Sequence, residues 1–279
     1  MRPLSRQGAK HFCQRFSGAS TRILDIRGLY DKVLEKKSAF KEGDAIYDQY
    51  RDSLLRESDR SFFLAVSCFR RGLDLFTASS VFWAYVSLYY CSWFAAHSAL
   101  GMFGCWVRGP RNKMRIVIEA RKQSPGDQEF VVEKNYSSFY QGSHQFFWDA
   151  YYNAMKTVIV WTQPSLHLAV TPVSNSPTWA IDRRNLINYQ SLHAFKLIDD
   201  YSAKFDASNF LSRLQGDLAT QFQLARTLLL FSAERAVEFG LKTDVFPRFK
   251  SRAEAIRKLI YNANPPKLAM HSEEGSLTV

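Results

Sequence analysis

Residues 75–107 read LFTASSVFWAYVSLYYCSWFAAHSALGMFGCWV, a run of the chain without a single Asp, Glu, Lys or Arg. Length and lack of charge would suit a membrane span. The run also holds several Ser and Tyr residues and His97. Ser80, Ser87, Cys91 and Ser98 are spaced by seven, four and seven, which sets them on one side of a helix. Small side chains let two helices approach closely, in a protein core or in a bilayer. The other stretches are too charged to span a membrane, so a buried central helix from about Ser79 to Phe103 is expected, and a membrane location is not. Gly104 and Gly109-Pro110 stop it.

Working outward, Asp44 to Phe76 reads as a long amphipathic helix. Asp48, Arg51, Arg56, Asp59 and Arg60 are expected on its exposed side, and Phe62, Phe63, Val66 and Phe69 on its buried side. Downstream the texture changes. Arg115–Arg121 and Gln128–Glu133 are rich in β-branched residues and flank Ser124-Pro-Gly-Asp127, which predicts a β-hairpin inserted at about 113–134. Gly142–Lys156 is helical in pattern, and Val158–Ser174, with two prolines, is irregular. Ser176-Pro177 has the chemistry of an N-cap followed by a first helical residue, opening a helix that reaches about Tyr189. A last helix is expected over Ser208–Phe239, with Phe210, Leu214, Leu218, Phe222, Ala225, Leu229 and Ala236 inward and Gly240 as its C′ residue. The expected architecture is mainly α, a helical bundle with an inserted β-hairpin. Residues 1–22 form a basic arm, 23–262 the helical domain and 263–279 a polar tail. No internal repeat is present.

Composition narrows the class. Apolar residues make up 46% and charged residues 23%, which supports a packed core. Lys and Arg number 37 against 26 Asp and Glu, a net charge of +11 that favours polyanionic partners. Two clusters concentrate it: Arg108, Arg111, Lys113 and Arg115 on the hairpin side, and Arg248, Lys250 and Arg252 near the C-terminus. Either could follow a phosphate backbone. The four cysteines, at 13, 68, 91 and 105, lack metal-ligand spacing, and no secretory signal opens the chain. A cytoplasmic protein without metal or cofactor is expected. The chain has no phosphate-binding Gly-rich loop, dinucleotide fingerprint, His-Glu-x-x-His or Gly-x-Ser-x-Gly element.

Three segments carry a family resemblance: Ser87–Leu100, with its tyrosine pair and Ala-Ala-His; Gly142-Ser-His-Gln-Phe-Phe-Trp148; and Arg183-Arg-Asn-Leu-Ile-Asn-Tyr189. In this order they resemble HEPN-like proteins over roughly residues 45–240. The resemblance implies a helical bundle, commonly dimeric, that acts on or binds RNA in prokaryotic defence or toxin systems, or serves as a silent subunit of a protein–nucleic-acid assembly. Active relatives cut RNA without metal, using an Arg, a polar residue after it and a His four to six residues further on. Arg184 matches the cation and Asn185 the polar position, with Arg183 as an added phosphate contact. Here Tyr189 stands at the shortest spacing in place of His, and the next histidine, His193, lies beyond eight intervening residues. A phenol with a reference pKa near 10 is a poor base at neutral pH, whereas an imidazole is a good one. Arg184, Asn185, Tyr189 and His193 are therefore expected to line one pocket, with His97 or His144 beside it. Their site is either a metal-independent endoribonuclease centre or a degenerate binding site.

Overall fold

The structure is a computed structural model, and it describes residues 1–16, 25–78, 80–111, 114–140, 142–202 and 216–241. It is mainly helical, with a small antiparallel sheet. The elements in chain order are α1 (Arg6–Gln14), α2 (Ile26–Lys32), β1 (Ala39–Lys41), α3 (Ala45–Thr77), α4 (Val81–Met102), β2 (Trp106–Arg111), β3 (Met114–Lys122), β4 (Glu129–Lys134), α5 (Ser143–Met155), α6 (Trp179–Tyr189), α7 (Ser191–Ser202) and α8 (Gly216–Glu238). Three short 3-10 turns fill the Pro-containing stretch between α5 and α6.

The uncharged run becomes α4, the centre of the fold. It packs along α3 on one side and α8 on another. The small-residue face meets α8 through polar contacts. Ser232 Oγ and Ser98 Oγ lie 3.0 Å apart, Gln221 Nε2 donates to Ser92 Oγ at 2.9 Å, and Cys91 Sγ faces the Ala225 carbonyl at 3.9 Å. Among the described residues, no helix is long and apolar enough to cross a membrane. Leu218, Phe222, Ala225, Leu229 and Ala236 are buried as expected, and Gly240 sits at φ 63° past the helix end. Phe210, Leu214 and the tail from residue 242 onward lie outside the described residues.

Helix α3 runs over the expected span but turns slightly differently. Phe62 and Phe69 are buried, while Phe63, about 100° around the helix, is 50% exposed. Arg51, expected in solvent, is buried and held by Asp48 Oδ1 at 2.7 Å and Asp52 Oδ1 at 2.9 Å. Burying that cation is tolerable because carboxylates pair with it on both sides.

The expected hairpin exists as β3 and β4, but it is the middle of a four-stranded sheet ordered β1-β4-β3-β2. Val117 pairs with Val107 on one side and Glu133 on the other. Strand β2 contains Gly109-Pro110, and proline has no N–H to donate. It is confined to the sheet edge, where the register shifts between Arg108 and Arg111.

The described part of the N-terminal arm, residues 1–16, packs against the rest of the fold. Ser5 accepts from the Gly8 amide at 3.1 Å and caps α1, whose Ala9, Phe12 and Cys13 are fully buried. Leu4 N donates to the Phe103 carbonyl at 3.0 Å, and Ala120 N to the Arg2 carbonyl at 2.9 Å, which ties the segment to both α4 and the sheet. Leu4, Ala9, Phe12, Cys13 and Phe16 make one apolar side, and Arg6 projects from the other with its side chain 58% exposed.

Helix α6 starts at Trp179, later than Ser176-Pro177 suggests. Ser174 and Asn175 take positive φ (51° and 57°), which keeps Ser176-Pro177 in the preceding turn. The helix packs against α4.

Phe12 touches the rings of Tyr47, Tyr50 and Phe130 at centroid distances of 6.1, 6.5 and 5.7 Å. Phe12→Ala is expected to cost about 3–5 kcal/mol of unfolding free energy in a urea titration. A detached arm would lose almost nothing.

Candidate functional site

Arg184 points from α6 into the body of the protein and is only 8% exposed. Its guanidinium carbon lies 5.1 Å from the Tyr89 ring centre and 5.7 Å from that of Tyr90, both on α4. Nη1 donates to Asn185 Oδ1 at 2.9 Å and Nη2 to the Tyr90 hydroxyl at 3.4 Å. The cation is thus enclosed by ring faces and neutral acceptors.

The Tyr89 hydroxyl shares a 2.6 Å hydrogen bond with His144 Nδ1. Burial holds that phenol protonated well above its usual range. His144, in the first turn of α5, stacks on Trp93 at 4.0 Å, and His97 of α4 stacks on Phe147 at 3.8 Å. Burial pushes His97 down to about 3, helped by the nearby charges of His144 and Arg27. Burial also lowers His144, to about 4, with the Arg184 charge adding to it. The dipole of α5 acts in the same direction at its N-terminus. Both imidazoles are neutral at pH 7.

Beside these rings lies a cavity of about 300 Å³. Trp93, Phe94, Trp106 and Phe147 supply aromatic walls, and Arg27, Glu57, Ser61, Arg108, His97 and His144 supply polar groups. Gly109 belongs to the lining because a Cβ there would lie 2.7 Å from Ser143 Cβ, so glycine is what lets β2 approach α5. Among the described residues, no group of His, Cys, Asp and Glu could hold a metal ion.

The structure separates the residues that the sequence grouped. Arg184 and Asn185 adjoin the aromatic box, but Tyr189 is 77% exposed and His193 is exposed. Five helical positions rotate Tyr189 about 140° from Arg184, which turns it outward. The helix also ends at Gln190 (φ −119°, ψ 102°), so His193 belongs to α7 and no turn of α6 carries it back. The histidine that feels the Arg184 charge is instead His144, forty positions earlier in the chain, on α5. Its quoted segment could be singled out from sequence, but its partner could not. Nothing in the sequence marks Arg27 or Glu57.

The expected phosphate contacts do not form one surface. Arg108 pairs with Asp31 at 2.5 Å and lies over Tyr30, with only 13% of its side chain exposed. Arg115 donates to the Ser138 carbonyl at 2.7 Å, and Arg183 pairs with Asp217 at 3.4 Å. The Arg111 side chain and Lys113, Arg248, Lys250 and Arg252 lie outside the described residues. Exposed cations on α2 and the turn after it, Arg27, Lys32, Lys36 and Lys37, alternate with the exposed acids Asp25, Asp31 and Glu35. Comparison with protein-family models, with curated proteins and with solved structures gives no match.

The neutral histidines set a sign for acid stability. Their folded pKa values lie below the unfolded value near 6.5, so the unfolded chain takes up protons first on acidification. Stability present above pH 6.5 is expected to fall between there and about pH 4, by at most about 1.4 kcal/mol per pH unit for each histidine, and less for the partly exposed His144. Urea midpoints from pH 7.5 to 4.5 measure this, with His97→Leu flattening the curve. An unchanged slope in that variant would show that His97 is not the group responsible.

Proposed function

We propose that the protein is a HEPN-like RNA-binding protein of a defence or toxin system whose late-helix arginine no longer serves strand cleavage. The observation that carries binding is the aromatic-walled cavity with the exposed Arg27 at its edge. Ile26 and Arg27 line that cavity, and Lys32, Lys36 and Lys37 continue the same stretch in solvent. Aromatic rings next to exposed cations suit unstacked bases on a phosphate backbone.

Silence of the cleavage site follows from chemistry. Attack by a 2′-hydroxyl needs a base with a pKa near the working pH and a cation free to meet the developing charge. Both histidines near Arg184's box are depressed far below neutrality, and the guanidinium is covered by two tyrosine rings. Neither half of the pair is poised. Arg184 instead holds α6 against α4.

Fluorescence anisotropy with a mixed-sequence single-stranded RNA tests this. Log affinity should fall linearly with log salt, by about 0.7 per phosphate contact. RNA should stay intact in EDTA over hours. Arg184→Gln should lower stability by about 1–3 kcal/mol through the lost buried hydrogen bonds while leaving RNA affinity within about twofold. Binding flat in salt would exclude phosphate contacts. Cleavage in EDTA that disappears in Arg184→Gln would return Arg184 to a catalytic role.

A further inference from the structure

The cavity is too small for a strand and large enough for one nucleotide. Its volume of about 300 Å³ stands at the lower end of small-ligand sites. Its polar groups are unevenly distributed. Arg108 is already committed to Asp31, which leaves Arg27 as the cation with no carboxylate partner among the described residues. Glu57, one turn before the buried Ser61, is the acidic group of the lining. Its ion pair within reach is a long one, 3.7 Å to Arg60, whose side chain is mostly in solvent, while that of Glu57 is partly exposed. The carboxylate is therefore available to a ligand.

These groups select among bases. A carboxylate accepts two parallel hydrogen bonds from the N1–H and N2–H of guanine. Adenine offers a single N–H donor on that edge beside a lone pair, which a carboxylate repels. The imidazoles of His97 and His144, neutral at pH 7, add ring surface without adding charge, so recognition of a phosphate falls to Arg27. Phe94 and the part of Trp93 that His144 does not cover give the base an apolar surface to lie on.

We propose that this cavity is a binding site for one guanine nucleotide, with the base against Trp93 and Phe94, its Watson–Crick edge on Glu57 and its phosphate near Arg27. The proposal deepens the RNA-binding function and rests on it for one of two sources of the ligand, an unstacked guanine of a bound strand or a free guanosine monophosphate.

Isothermal titration of the full chain with guanosine monophosphate, adenosine monophosphate and inorganic phosphate tests the site. Parallel anisotropy with single-stranded RNAs that differ by one guanine or adenine tests the source. Guanosine monophosphate should bind at least about tenfold more tightly than the adenine nucleotide, the scale of one good bidentate contact. Glu57→Gln should abolish that preference, and Arg27→Ala should weaken guanosine monophosphate at least about fivefold, on the scale of a charged hydrogen bond. Both side chains reach solvent, so the variants should keep the wild-type fold. Preference for guanine in the RNA arm as well assigns the strand as a source, and preference confined to the monophosphate assigns the free nucleotide. No heat with guanosine monophosphate at millimolar concentration, or equal binding of the two nucleotides, overturns the proposal. If RNA binding persists in that case, the RNA function stands without it. If the nucleotide binds and RNA does not, the RNA function fails and the site remains.

Discussion

A helix of 22 residues without a charged side chain has to be surrounded, and the fold is arranged to surround α4. Its buried residues occur on nearly every side, from Val81 and Ala84 through Cys91 to Met102. Helix α3 covers one flank and α8 another, while α5 and α6 close over the aromatic stretch from Tyr89 to His97. The small residues let α8 come close, and the serines that make this possible are matched by Gln221 and Ser232 on the partner helix. An unmatched hydroxyl in that seam would cost more than the contact returns. The same demand for cover draws in the N-terminal segment, whose Leu4 amide binds the carbonyl left open at Phe103.

The candidate site follows from the one side of α4 where cover is incomplete. Tyr90, Trp93, Phe94 and His97 are only partly buried. The large rings on that side leave space that α3, α5, β2 and α2 close off as the remaining cavity. Polar groups reach it from elements that are far apart in the chain. That origin explains why the cavity combines an apolar bed with Arg27 and Glu57 at its polar side. It also explains the histidines: each is stacked against a ring of the core, and the packing that positions it removes the water that would stabilise its charge.

Much of this architecture was legible in the chain because it rests on local pattern. The absence of charge over residues 75–107 located α4, periodicity gave α3 to within a residue or so, and β-branched runs around Ser124–Asp127 gave β3 and β4. What failed depended on distant partners. Three residues cannot signal a strand, so β1 was invisible, and β2 was concealed by Gly109-Pro110, which reads as a break unless an edge position is known. The basic residues near the start masked an apolar helical face that is recognisable only once α4 and the sheet are there to receive it. At the site, Arg184 and Asn185 were found, but a motif counted along the chain assumed that α6 continued. Gln190 ends it, and the count has no meaning beyond that point.

The same packing underlies the proposed preference for binding over chemistry. A guanidinium reaches a transferring phosphate only if its donors face a space that substrate can enter, and its attraction for that phosphate grows as water is excluded around both. Arg184 has the second condition without the first: Nη1 and Nη2 meet Asn185 and Tyr90, Nε is buried without a hydrogen-bond partner, and tyrosine rings cover its faces. Restoring a reactive arrangement would require α6 to move away from α4, which would expose Ile181 and Ile187 and leave the Tyr89–His144 hydrogen bond open to water. The stability of α6 on α4 and the availability of Arg184 therefore oppose each other. The proposed binding through Arg27 and Glu57 meets no such conflict, because both side chains reach solvent without any element moving.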